Sequence, residues 1–153
     1  MSEVRLISLY KMASQNNPHP DPSHSAELAT DGQFIFDQHT LQTSMRTYTH
    51  TGSKSPGNRL WIELGGHFKI QKITIHNLRH CCQEQLIGTH VYADDRLIGT
   101  VIVTSNLLEF LIPEVDAVYA SKILLHQPLS QNIHVLEIQV WGSGPFLADD
   151  LFQ

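Results

Sequence analysis

Residues 72–88 read KITIHNLRHCCQEQLIG, and how this stretch is taken decides the fold. Its first half places Ile73 and Ile75 two residues apart, the period of a half-buried β-strand. Its second half carries Cys81 and Cys82, the only two cysteines in the chain. Adjacent cysteines cannot tie distant segments together, so the fold has to stand without long-range disulfides. Two readings of the pair are open. One is a pair of reduced thiols, pointing to opposite sides of a strand. The other is a bond between neighbours, although successive Cα atoms lie about 3.8 Å apart and disulfides usually span about 4.4–6.8 Å. A ring that small needs surroundings that hold it. It would form a flat, rigid, apolar knob at a loop, on which the C–H face of a sugar could stack.

Working outward, the flanking sequence is a succession of strands and turns. NRLWIELGG (58–66) ends on two glycines, and HFKIQKITIHNL (67–78) follows as a separate strand. THVYADDRLIGTVIV (89–103) reads as two strands joined at Asp94-Asp95. EVRLISL (3–9), KILLHQ (122–127) and HVLEIQVWG (134–142) complete the set, with Leu136, Ile138 and Val140 on one face of the last. Period-two patterning rich in β-branched residues argues for antiparallel, half-buried strands. No segment sustains a helical period, and a short helix is expected only within HSAELATDG (24–32), stopped by Gly32. NNPHPDPSHS (16–25) and HTGSKSPGNR (50–59) are loops. Many short strands with turns between them predict an all-β jelly-roll β-sandwich.

Composition narrows the function. The chain has 153 residues, 41% hydrophobic and 16% charged, with a formal net charge of −5. That length suits one domain with a real core. Without a basic cluster, nucleic-acid binding is not expected, and no apolar run reaches the roughly 20 residues of a membrane span. MSEVRLISLYKMASQ lacks the pattern of a secretory leader. The ten histidines show no ligand spacing such as H-E-x-x-H and read as scattered surface imidazoles; no nucleophile elbow or phosphate loop is present. No catalysis is expected. Gly142, Gly144 and Pro145 should break the last strand. That division gives a domain over 1–142 and a tail over 143–153, whose Phe146, Leu147, Leu151 and Phe152 could dock in a protein partner's groove.

The stretch THTG (49–52) followed by KITIHNLRHCCQEQLIGTHVY (72–92) resembles the fucose-binding F-type lectins, or fucolectins. Their pattern runs T-H-S/T, a turn-rich loop, W-W-R-V-D-L, then V-T-I-T-N-R-G-D-C-C-G-E-R-I-x-G. KMASQNN (11–17), LATDGQ (28–33) and VLEIQVWG (135–142) are similar to further family segments. The likeness spans about residues 4–142 and is dense over 47–92. It implies a discoidin-like jelly roll with binding loops at one end, a glycan partner, and multimers in which weak sites combine. It implies a vicinal disulfide at Cys81 and Cys82 packing on the sugar, with His50 matching the family's histidine. The family's Arg, Asp and Arg fall on Leu78, His80 and Gln85, while Arg79 lies one residue along. The implied carbohydrate site is therefore His50, Arg79, His80, Cys81, Cys82 and Gln85, with an altered specificity. His50 and Arg79 are its expected hydrogen-bond donors. A structural Ca²⁺ is also implied, on Asp31, Gln33, Thr47 and Glu137, since calcium takes six to eight oxygens. Without the likeness, Asp31-Gly32 is an ordinary turn and Glu137 an exposed strand residue. Tyr48 and Leu136 stand where the family bridges the binding loop to the last strand, and an apolar contact is expected instead. The competing reading is a protein-interaction or structural module, such as one of a viral or other particle, that kept the fold and lost the sugar.

Overall fold

The computed structural model describes residues 3–21, 24–32, 48–79 and 81–147. Its organising element is β4, a strand of 19 residues over Asn58–His76. The N-terminal half of β4 pairs with β2 (Met12–Gln15) and β8 (Tyr119–Gln127). Beyond β8 come β5 (His90–Ala93) and then β6 (Arg96–Thr100). The C-terminal half pairs with β7 (Leu107–Leu111) on one side and β10 (Glu137–Phe146) on the other. β1 (Arg5–Leu6) adds to the far edge of β10. All these pairings are antiparallel. One strand thus serves both layers of a β-sandwich, and β3 (Thr49–His50) with β9 (His134–Val135) forms a small ladder beside them.

Strand alternation builds the core between the layers. Leu60, Ile62 and Leu64 from one half of β4 share a buried cluster with Ile73 and Ile75 from the other. Ile123, Leu125, Ile138, Val140 and Val91 complete its centre. At roughly 25 cal/mol per Å² of apolar surface removed from water, such residues dominate the stability of the fold. The expected hairpin at Asp94-Asp95 is present, with Asp94 at φ 50° and its Oδ1 accepting from the backbone N–H groups of Ser121 and Lys122.

Two strand boundaries differ from the sequence reading. Gly65-Gly66 does not end a strand: Gly65 sits at φ 81°, and the ladder to β8 shifts register between Glu63 and Phe68. Glycine tolerates that conformation, so β4 bends there and continues into the second layer. Gly142, Gly144 and Pro145 likewise do not stop β10, which reaches Phe146 through register shifts against β4. The expected short helix is a 3₁₀ helix over Ala26–Thr30 that ends at Asp31 before Gly32. The end of the tail, 148–153, lies outside the described residues. Among those described, no helix is long and apolar enough to cross a membrane.

Candidate functional site

Beyond β4 the chain leaves the core at Asn77 and turns into the paired cysteines. Asn77 is buried and organises this turn. Its backbone N–H donates to the Asn106 carbonyl at 2.9 Å, and its Oδ1 accepts from the Leu78 N–H at 2.8 Å. Cys81 and Cys82 are bonded to each other across a Cα–Cα distance of 3.7 Å. Cys82 takes a left-handed backbone, φ 66°, and opens a 3₁₀ helix over Gln83–Leu86. Gln127 clamps that helix from β8, its Nε2 donating to the carbonyls of Gln85 at 2.8 Å and Ile87 at 3.0 Å. Cys81 is exposed and Cys82 half-buried, so the disulfide forms an accessible plate on a fixed turn.

Arg79, Cys81 and Cys82 line one open depression of about 420 Å³, together with Gln83, Glu84, Thr104 and Asn106. The structure therefore brings Arg79 to the disulfide. Gln85 lies on the same helix but outside this lining, with its Oε1 buried and unbonded. His80 falls outside the described residues. Leu78, at the position of the family's first arginine, is buried with Tyr48 and Leu136 in a second small apolar cluster. The apolar contact expected between Tyr48 and Leu136 is formed.

His50 belongs to a different group of side chains. Its ring centroid lies 5.3 Å from that of His19, 5.9 Å from His24 and 5.9 Å from His134. Tyr48 stacks obliquely on His24 at 4.6 Å. The reading of scattered surface imidazoles fails for these four: His19 and His24 converge with β3 and β9, and His134 is fully buried. Contacts so distant in sequence leave no local signal. His50 Nδ1 bonds to the Thr51 carbonyl, which can only accept, so Nδ1 holds the proton and neutral Nε2 is an acceptor. His50 donates from Nε2 only when its ring is protonated. Among the described residues, no group of three or more His, Cys, Asp or Glu side chains is placed to hold a metal ion.

Burial lowers the pKa of His50, opposed by its bond to Thr51 and reinforced by His19 and His24. Between that lowered value and the ordinary 6.5, the unfolded chain holds a proton that the folded chain lacks. The contribution of His50 to stability should therefore fall as pH drops through 6.5, while those of other titrating groups are common to wild type and a His50 variant. Thermal melts of the wild type and His50→Gln from pH 7.5 to 5.5 should diverge on the acid side, the wild type losing more; parallel curves would refute this. His126, lowered mainly by burial, is common to both chains and cancels.

Where the 3₁₀ helix over Ala26–Thr30 ends and β10 begins, Asp31 and Glu137 come together. Glu137 is not an exposed strand residue but 2% exposed. Its Oε2 accepts from the Gly32 N–H at 2.9 Å, and its carboxyl meets the Asp31 side chain in a hydrogen bond. Burial first, and then the neighbouring Asp31 carboxyl, push Glu137 up to about 8 against the opposing Gly32 bond. Gln33 and Thr47 lie outside the described residues.

This architecture is the F-type-lectin-like β-sandwich, shared with discoidin-like carbohydrate-binding modules. No family model and no curated protein matches the chain by sequence. Among solved structures, a variant of the lectin domain of lectinolysin in complex with Lewis b superposes with a TM-score of 0.73 at 18% identity, covering 94% of this chain and 100% of that one. A fucose-binding module of Streptococcus pneumoniae gives 0.71 at 18% identity, over 89% and 96% of the two chains. A fucolectin from striped bass (Morone saxatilis) serum gives 0.71 at 15% identity, over 93% of this chain and 48% of that one.

Proposed function

We propose that this chain is a non-catalytic carbohydrate-binding domain in which a sugar packs against Cys81 and Cys82 and is held by Arg79. The observation that carries this reading is the exposed vicinal disulfide at a polar depression containing a guanidinium. A flat apolar plate suits the C–H face of a pyranose, and the five N–H donors of arginine suit its hydroxyls. The residues that differ from the fucolectin pattern, above all the buried Leu78, support a specificity other than the fucolectin one. They also favour the competing reading of a protein-interaction module on the same fold. A glycan array probed with the oxidised chain separates the two. Saccharide binding that Arg79→Ala removes is the expected result, and no binding to any glycan overturns the proposal.

The residues also fit a structural calcium ion. Two neighbouring carboxyl groups, one of them buried and held well above its ordinary pKa, are a donor set that a hard cation would satisfy on displacing the proton. Asp31 and Glu137 would hold it, and its charge would tie the turn at Gly32 to the start of β10.

A further inference from the structure

The depression beside the disulfide contains more chemistry than Arg79. Glu84, Thr104 and Asn106 line it as well, the last two from the connection between β6 and β7. A bonded network fixes this wall. Gln83 Nε2 donates to the Leu78 carbonyl at 2.7 Å and to Asn106 Oδ1, and Asn77 Nδ2 reaches the Gln83 carbonyl at 3.4 Å. With its Oδ1 occupied by Gln83, the Asn106 side chain has its NH₂ donors left for a ligand. The ion pair found among the described residues, Lys69–Glu114, involves neither Arg79 nor Glu84. Guanidinium and carboxylate therefore line one depression, and no ion pair between them is formed among the described residues.

We propose that Glu84, Thr104 and Asn106 set the specificity of this site, and that its ligand is an uncharged pyranose with two adjacent free hydroxyls. This rests on the carbohydrate-binding reading above. Each sugar hydroxyl both donates and accepts a hydrogen bond. Glu84 can only accept, and its two oxygens suit the O–H groups of a vicinal diol. Arg79 and the Asn106 amide only donate, and they take the lone pairs of the same hydroxyls. Thr104 does either. A sialic acid, uronic acid or sulfated sugar supplies acceptors where Glu84 requires donors, and sets like charges together in a chain of net charge −5. The sugar-reading groups would then lie, relative to the fucolectin pattern, not at the positions of Leu78, His80 and Gln85 but at Glu84 and on the β6–β7 connection.

The test uses the full oxidised chain on an array holding matched neutral, sialylated and sulfated glycans, followed by calorimetry with the best neutral ligand. Three near-isosteric variants keep the wall folded: Glu84→Gln, Thr104→Val and Asn106→Asp, the last preserving the acceptor that Gln83 uses. Glu84→Gln should weaken neutral ligands about tenfold and narrow the preference over their sulfated partners. Thr104→Val and Asn106→Asp should each cost about three- to tenfold. Glu114→Gln, remote from the depression, should bind as the wild type does. If acidic glycans bind best, or all three wall variants stay within about twofold of wild type while Arg79→Ala abolishes binding, this inference falls and the carbohydrate reading stands. If the wild type binds no glycan, both fall.

Discussion

Replacing Cys81 and Cys82 together by serine is expected to weaken saccharide binding about tenfold or more while hardly changing the melting temperature. The two effects separate because the bond closes a ring of adjacent residues. A cross-link stabilises mainly by restricting the unfolded chain, and the restriction grows with loop length. For neighbouring residues it amounts to roughly 1 kcal/mol, or a shift within about 4 °C for a domain of this size. Core residues such as Leu60 and Ile73 do not depend on it. Binding does depend on it, since the serine pair is polar, and its backbone is freer to leave the left-handed conformation that Cys82 holds. Calorimetry and thermal melts on both proteins check this together. Unchanged affinity in the serine variant would remove the disulfide from the site.

Millimolar calcium is expected to raise the melting temperature by about 5–10 °C, and Glu137→Gln to abolish the rise. A ligand bound only by the folded state stabilises it by about 2.7 kcal/mol at a hundred times its Kd. The cost that calcium would relieve lies in the burial of Glu137 against the neighbouring Asp31 carboxyl. The amide of the variant keeps the acceptor for Gly32 N–H but withdraws a charge from the cation. Thermal melts with calcium, magnesium and chelator decide the matter. Equal shifts in wild type and variant, or no shift in either, would count against an ion at Asp31 and Glu137.

Much of the sandwich is legible in the sequence. Ile73, Ile75, Ile138 and Val140 announce themselves because a strand with one buried face must alternate, and the Asp94-Asp95 turn is marked by its own residues. The glycines misled. Gly65 and Gly142 read locally as breaks, yet long ladders on both sides carry the strands through them as register shifts. Part of the site was also legible, in the paired cysteines and in Arg79 one residue along from its expected place. The remainder depends on tertiary proximity. Thr104 and Asn106 reach the disulfide because Asn77 and Gln83 fasten the β6–β7 connection to the turn, and nothing near residue 104 signals it. The imidazoles of His19, His24, His50 and His134 meet for the same kind of reason.

The pairing of β1 with β10 sets Arg5 opposite Gly142 and Leu6 opposite Trp141. The first and last strands of the sandwich therefore run side by side, and a polypeptide entering through one leaves close to where it came in. A unit built this way can be spliced into a surface loop of a host protein with little distortion of either. It can equally be strung in series, each copy presenting its disulfide turn. On the proposed reading, joined copies would turn the second capture into an intramolecular event, so a weak monovalent grip would become a firm hold on a surface dense in sugars.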